Sequence, residues 1–535
     1  FWDEFGVRFN FIAVDYLVYT TEVVDNIVES YPVFREIAAL AVIALLLAGL
    51  TVRLPGYRRW LETATPARAR LRAGATLLLI PVVATATVDA RGLPDFDNRY
   101  LEEISRNGPY SFVAAFRDNE LDFHEFYLDE APAVAEARIR GLIADGDVQF
   151  APAGQNPERR HVEHRGPEKR YNVIQIVVES LSAEFLGTFG HDGGLTPNLD
   201  GLAKESLLFT NFMATGTRTV RGMESLVLSV PPTPGRSIVK RPENAGLFSI
   251  ATVLAEKGYD ANFFYGGYGY FDNMNAFFAG NGFAIHDRAS EGDDDVVFTN
   301  AWGVSDGDLF RWVLEDADRR AADGKPFFDF VMTTSNHRPY TYPEGRIDIP
   351  SHTGRAGAVK YTDYAIGQFL AEARKRPWFE DTVFVIVADH CAGSAGKTSL
   401  PVERYRIPLL VYAPGLIEPG VVGTLASQID LAPTLFGLLN WSYDSEFFGR
   451  DVLHVPTADG RALIGTYQSI GLIEHDHRLT VLSPGSSAAA WIYDPVTGEQ
   501  RPVELNPDEL TDTITYYQRA ADKYRADVAG TATRG

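Results

Sequence analysis

Three apolar runs in the middle of the chain each end in residues that can bind a metal or move a proton. VIQIVV (173–178) gives way to Glu179-Ser180, FFDFVMTT (327–334) to Ser335-Asn336-His337, and TVFVIVA (382–388) to Asp389-His390. Two carboxylates with imidazole nitrogens make a mixed oxygen–nitrogen donor set, the kind that suits Zn²⁺ or Mn²⁺. Taken singly, each has an ordinary structural reading: a strand-end acid commonly caps a helix or anchors a loop, and a lone His337 is commonly structural. Their joint occurrence points to a site. A fourth stretch, GTRTVRGMES (216–225), sets the hydroxyls of Thr217 and Thr219 between Arg218 and Arg221, after Gly216. A threonine hydroxyl is a weak nucleophile unless a metal or base activates it. Neighbouring arginines suit phosphate oxygens, which they hold by paired hydrogen bonds, although basic Thr-rich loops are common without such a role.

The elements that would position these residues alternate from about Tyr171. Strands are expected at Val173–Val178, Asp260–Tyr265, Phe327–Thr333, Thr382–Val387 and Leu409–Tyr412, with helices between them, including 247–257 and 359–374. Continuous apolar strands alternating with helices predict an α/β fold whose mostly parallel sheet is covered by helices on both faces. In such sheets ligands bind beyond the carboxyl ends of the strands, which is where the candidate residues fall. A small C-terminal sheet is expected from 462–465, 479–482 and 490–493. A last helix should follow, with Asn506 as cap, Pro507 in the first turn, and Asp508 and Glu509 near the positive end of its dipole. Upstream, 97–106 and 131–143 look helical, and the Pro-, Gly- and charge-rich stretch 154–170 reads as a linker whose His161 and His164 are surface residues.

Near the start, Ile37–Val52 and Ala73–Val88 carry no charge, and each is slightly short of the ~20 residues that cross a bilayer. The loop between them holds Arg53, Arg58, Arg59, Arg68, Arg70 and Arg72 against Glu62 alone, and an Arg excess in a short loop marks the cytoplasmic side. Two transmembrane helices are therefore expected in 32–90. Residues 1–31 would lie outside, either in the headgroup region or packed on the outer domain, and everything after about 89 would also be outside. Juxtamembrane helices and the linker take 91–170, a catalytic unit 171–455, and the small sheet and last helix 456–535. The chain opens on Phe1 rather than Met, so it reads as a fragment or as numbered from a later residue, with the number of spans upstream of Phe1 open. A net charge of -22 argues against a nucleic-acid partner, though not against a phosphate substrate beside a bound cation. The single cysteine, Cys391, allows no intrachain disulfide. Two spans free of charge do not suggest a transporter.

The stretches VVESLSAEFLG, TPNLDGLAKES, GTRTVRG, YGGYGYFDNMNAFF, TTSNHRPY and VIVADHCAGSAGK occur in this order within 171–455. Together they resemble the lipoteichoic acid synthase-like phosphoglycerol transferases of the alkaline phosphatase and sulfatase superfamily. That resemblance implies a metal shell of Glu179, Thr219, Asp389 and His390, with Thr219 also the nucleophile. It implies His337 beside the substrate phosphate or leaving group, and one divalent metal, Mn²⁺ first and Zn²⁺ or Mg²⁺ as alternatives. The expected activity is transfer of phosphoglycerol from phosphatidylglycerol, through a phospho-threonine, to a glucan or glycolipid hydroxyl on the periplasmic side of a bacterial inner membrane. Alternatives are a phosphoethanolamine transferase or phosphodiesterase of the same fold, or an inactive membrane-bound scaffold. One departure stands out: Asp272 and Met274 fill the FDNMN positions where lipoteichoic acid synthases carry Trp and Arg, so Arg218 or Arg221 would have to supply positive charge. The sulfatase branch makes its nucleophile from a Cys or Ser with Pro two residues on, then Arg. Cys391, in CAGSA, lacks that context and reads as a small buried residue.

Overall fold

The computed structural model describes residues 2–87, 96, 98–117, 121–152, 154–292 and 295–532. Its centre is a nine-stranded sheet built from β1 (Asn172–Val178), β2 (Leu207–Met213), β3 (Asp260–Tyr265), β4 (Ala284–His286), β5 (Phe327–Met332), β6 (Thr382–Ala388), β7 (Arg406–Tyr412), β8 (Gly420–Val422) and β9 (Ala426–Ser427). The order is β8-β2-β7-β6-β1-β5-β3-β4, with β9 also pairing β2. β6, β1, β5, β3 and β4 run parallel, and β7 is antiparallel to both its neighbours. β5 and β6 are buried at every position, because helices cover both faces and leave no place for polar alternation.

The expected strands are all present. β2 was not anticipated, since Thr210 and Asn211 interrupt its apolar run where it is only half-buried. Register places Val177 beside both Val387 and Met332. Glu179, Asp389 and the 333–337 turn therefore leave the same edge of adjacent strands.

C-terminal to this sheet, five strands form an antiparallel meander in sequence order: Arg461–Gly465, Ile470–Glu474, Arg478–Ser483, Ser487–Tyr493 and Gln500–Val503. Two of them, Ile470–Glu474 and Gln500–Val503, go beyond the expectation. The last helix, Pro507–Ala532, starts as read, with Asn506 Oδ1 accepting from the Asp508 N–H at 2.9 Å.

The stretch expected as a linker is built into the structure. Arg160–Glu163 forms the middle strand between Asp147–Phe150 and Tyr443–Ser445. Buried Arg160 donates to the carbonyls of Glu158 (3.2 Å), Phe447 (2.7 Å) and Gly449 (3.1 Å). A cation that looked solvated in sequence is thus neutralised by backbone dipoles from far along the chain.

The N-terminal segment comprises α1 (Phe11–Asp15), α2 (Thr20–Ser30), α3 (Val33–Arg53) and α4 (Ala67–Thr87). Among the described residues one helix, α3, is long and apolar enough to cross a membrane, and it is wholly exposed. The second expected span falls on α4, whose first turns carry Arg68, Arg70 and Arg72. Those charges shorten its apolar part, and the end of the expected run lies outside the described residues. Residues 2–31 pack on the body of the chain, one of the two expected placements: the Phe11 ring stacks on Tyr467 with centroids 3.6 Å apart, and Phe11 and Val14 are buried.

Candidate active site

At the carboxyl edge of β1, Ser180 takes a left-handed conformation (φ 51°) that turns the chain sharply after Glu179. Its N–H donates to Asp389 Oδ1 at 2.8 Å, and its hydroxyl donates to Glu179 Oε1 at 2.6 Å. Asp389 Oδ1 also accepts from the His390 N–H at 2.7 Å. Asn336 Nδ2 donates to the Glu179 carbonyl at 2.8 Å, which ties the third strand end to the first. These bonds fix the two carboxylates while leaving Asp389 Oδ2 buried without a hydrogen-bond partner.

Thr219 opens helix α5 (Thr219–Leu228). Its Oγ1 lies 3.3 Å from Glu179 Oε2 and 3.5 Å from His390 Nε2. His390 Nδ1 is 2.7 Å from the Cys391 carbonyl. An acceptor there keeps the proton on Nδ1 and turns the Nε2 lone pair inward, 3.3 Å from Asp389 Oδ2 and 3.8 Å from Glu179 Oε1. Glu179, Asp389 and His390 thus offer donor atoms within 4.8 Å of one another, all buried. Lone pairs converging with no proton between them, one on an orphaned buried oxygen, fit a divalent cation.

The electrostatics agree. Burial lowers the His390 imidazole to about 4 and so keeps it neutral, as a ligand must be. Burial opposes ionisation of Glu179, but the facing imidazoles of His390 and His337, whenever either carries a proton, and the hydrogen bond from the Ser180 hydroxyl hold its carboxyl low. Burial and the Glu179 charge push Asp389 up. Two buried carboxylates side by side repel unless something positive lies between them.

The cluster lies on a cavity of about 560 Å³ that is also lined by His337, Arg218 and Arg355. His337 Nδ1 is 3.0 Å from the Arg338 carbonyl, and its ring lies against Trp302 with centroids 4.1 Å apart. Arg218 sits over the Phe5 ring at 5.1 Å and reaches the Tyr16 hydroxyl at 3.4 Å. Arg221 is turned away. Buried, it pairs with Glu224 at 2.6 Å and donates to the Gly235 carbonyl, so it does not line this cavity as a phosphate-holding residue would.

Asp272 lines the cavity and is bound by Lys240 at 2.8 Å, while Met274 is buried. Asp272 and Asn273 are consecutive left-handed residues (φ 52° and 63°), a costly conformation for side-chain-bearing residues. His161 is exposed, with Nδ1 2.8 Å from Asp444 Oδ1, and half-buried His164 sits against His454. The Cys391 thiol is buried and raised to about 12, mainly by burial.

Sequence reasoning missed Arg355 and Asn336. Arg355 opens helix α6 (Arg355–Ala373), where a cation opposes the helix dipole. That mismatch was the available signal. Both Arg218 and Arg355 are close enough to His390 to add, after burial, to the lowering of its imidazole. Asn336 Oδ1 is buried without a partner beside the cluster.

A family model described as Sulfatase matches residues 171–441. The chain belongs to the sulfatase family. Within this sulfatase and alkaline phosphatase superfamily it is distantly related to Phosphoglycerol transferase I of Xanthomonas campestris pv. campestris (strain B100), with 28% identity over 54% of this chain and 43% of that protein. It is similarly related to Lipoteichoic acid synthase 2 of Bacillus subtilis (strain 168), with 27% identity over 54% and 48%. The chain thus spans under half the length of these curated relatives.

Among solved structures, a protein in the alkaline phosphatase superfamily from Vibrio parahaemolyticus superposes with a TM-score of 0.71 and 35% identity, over 76% of this chain and 98% of that one. The lipoteichoic acid synthase LtaP from Listeria monocytogenes shares the fold, with a TM-score of 0.59 and 21% identity over 73% and 98%. The sulfatase-family fold, the buried three-residue cluster and one apolar N-terminal helix fit an enzyme of the cell envelope.

Proposed function

We propose that the protein is a membrane-anchored, metal-dependent transferase that moves phosphoglycerol from phosphatidylglycerol to an acceptor hydroxyl outside the cytoplasm. The carrying observation is the Thr219 hydroxyl, 3.3 Å from Glu179 and 3.5 Å from His390, at a buried carboxylate–imidazole cluster on a large cavity. Glu179, Asp389, His390 and the Thr219 oxygen would hold the cation, Mn²⁺ in the first instance. When bound, it lowers the pKa of a coordinated hydroxyl and offsets phosphate charge.

In the first step Thr219 Oγ1 bonds to phosphorus, its proton leaves to the aqueous cavity, and the bond to the diacylglycerol oxygen breaks. Arg218 and Arg355 hold phosphate oxygens, helped by the amino end of α5. The Arg338 carbonyl fixes the His337 proton on Nδ1, leaving Nε2 to carry a second proton to the departing oxygen. In the second step the acceptor hydroxyl attacks the phosphorus of phospho-Thr219. His337 takes up its proton, and the threonine oxygen leaves phosphorus and regains a proton from the aqueous cavity. A glucan or glycolipid hydroxyl on the periplasmic side of the inner membrane is the acceptor in this reading. An anchor through α3 confines enzyme and donor to one surface and raises their effective concentration.

The test is purified protein with Mn²⁺ and phosphatidylglycerol labelled in its headgroup, run beside labelled phosphatidylethanolamine. Diacylglycerol release and label on Thr219 are expected with the first lipid, and both should vanish in Thr219→Ala. Undiminished release by Thr219→Ala would sink the covalent mechanism, and release from phosphatidylethanolamine alone would sink the donor assignment.

A further inference from the structure

The catalytic cavity has two unlike walls. One carries Thr219, the metal-ligating cluster and the arginines, and the other is supplied by residues 2–31. Val23, Asn26, Ile27 and Tyr31, spaced along one face of α2 and its C-terminal cap, line it. Phe5, Phe9, Ala13 and Tyr16 extend the same wall.

The segment is clamped at several points along its length. Lys240 reaches Asp15 at 2.9 Å, Glu29 accepts from the Ala301 N–H at 3.1 Å, Tyr270 bonds Glu22, and Phe11 stacks on Tyr467. Clamps around an apolar stretch hold that stretch over the reacting groups. A phosphate and a glycerol headgroup need polar partners, so an apolar wall is unsuited to them, and Ala13, Val23 and Ile27 on it offer a sugar's hydroxyls none. At about 560 Å³ the cavity is also in the range that encloses a drug-sized ligand rather than a three-carbon headgroup.

The chain path says where an apolar ligand would come from. Tyr31 lines the cavity, Pro32 follows, and Val33 begins the exposed apolar helix α3. On α2 itself, Val24 and Val28, which do not line the cavity, are exposed, as are Leu17 and Val18 just before it; the lining residues Ile27 and Phe9 keep comparable exposure, as side chains on an open cavity do. Apolar side chains on the outside of a helix leading into a span suit the headgroup–acyl boundary. Such a docking would set the mouth of the cavity at the bilayer surface, where a lipid could enter sideways without crossing water.

Resting on the transferase reading of the site, we propose that residues 2–31 are the donor-lipid subsite. Phe5, Phe9, Tyr16, Val23, Ile27 and Tyr31 hold the glycerol backbone and first acyl methylenes of a phospholipid drawn from the bilayer, its phosphate over Thr219. These residues would then decide that a membrane diester, rather than a soluble one, is used.

The test places the full chain, as Thr219→Ala to prevent turnover, in nanodiscs containing phosphatidylglycerol with a diazirine next to the acyl carbonyl. Irradiation should label the peptide spanning 2–31. Ile27→Asp should cut that labelling at least about fivefold, because a charge repels acyl methylenes. Thr21→Asp, exposed in the first turn of α2 and lining neither the cavity nor the apolar outer stripe, should leave it within about twofold. Val23→Asp serves as the second variant should Ile27→Asp fail to fold. Labelling confined to 33–53, equal loss in Thr21→Asp, or displacement of the label by an oligosaccharide would overturn the proposal, the last by giving the aromatics to a sugar. Labelling needs no turnover, so it can succeed or fail independently of the transferase reading. If wild type turns over, the ratio of kcat/KM for long-chain phosphatidylglycerol to that for a soluble glycerophosphodiester should fall about tenfold in Ile27→Asp, and an unchanged ratio would also overturn the subsite.

Discussion

Arg355 and Arg221 are both cations within GTRTVRG or the cavity rim, yet they do different work. Arg355 lines the cavity and, among the described residues, makes one hydrogen bond, a long one of 3.4 Å to the Asn336 carbonyl. Arg355→Gln should therefore fold normally and raise KM for a phosphodiester at least about tenfold, the loss of one charge-assisted hydrogen bond. Arg221 sits between Glu224 and the Gly235 carbonyl, and Glu224 in turn accepts from Ser237 Oγ and the Ile238 N–H, both at 2.6 Å. Arg221→Ala would strand a fully buried carboxylate. It should cost about 3–5 kcal/mol of stability in chemical denaturation, with little change in KM for the molecules that stay folded. The opposite pattern, a stable Arg221→Ala with impaired KM, would restore that residue to substrate binding.

Helix α5 carries Thr219 at one end, and its position against β6 is set by a glycine. A Cβ at Gly222 would lie 2.4 Å from the Asp389 carbonyl oxygen and 2.9 Å from its Cα. The helix of the proposed nucleophile therefore touches the backbone of a proposed metal ligand directly. Gly222→Ala must push the helix or Asp389 aside, and it should weaken Mn²⁺ binding about 10–100-fold, as disturbances of ligand-supporting groups do. A metal titration followed by calorimetry reads this directly, and unchanged affinity would show that the two elements move freely.

This contact was hidden in the sequence, because Gly222 and Asp389 are brought together only by the fold. β1, β3, β5 and β6 were legible because fully buried parallel strands must be continuous apolar runs, and the residues after them were legible as strand ends. β2 was obscured by its half-buried Thr210 and Asn211. The 154–170 stretch misled because Arg160 finds its partners at Phe447 and Gly449. Packing of residues 2–31 on the rest of the chain was one of two readings, but their place along the cavity was not legible, since Phe11 meets Tyr467 across most of the chain.

At the scale of the whole molecule, two buried acids and a half-buried one shift global stability with pH in the same direction. Burial, first among the causes in each case, raises Asp329 in the middle of β5 to about 8, Glu474 to about 7 and Asp451 to about 6. Asp329 Oδ1 accepts from Asn262 Nδ2 at 2.7 Å, but Oδ2 is buried without a partner, so the neutral acid is the form the core tolerates. A group that binds its proton more tightly when folded stabilises the fold most below its unfolded pKa, near 4, and loses that contribution as pH rises through the folded value. For Asp329 the window runs from about 4 to about 8, and its full span is on the order of 5 kcal/mol. The protein should therefore melt at a lower temperature at pH 9 than at pH 5.5. Asp329→Asn, which keeps the shape without the ionisation, should recover most of that difference. Thermal melts of both proteins across that range decide the matter: parallel curves would mean that Asp329 stays ionised in the folded chain and that the alkaline loss, if any, comes from Glu474 and Asp451.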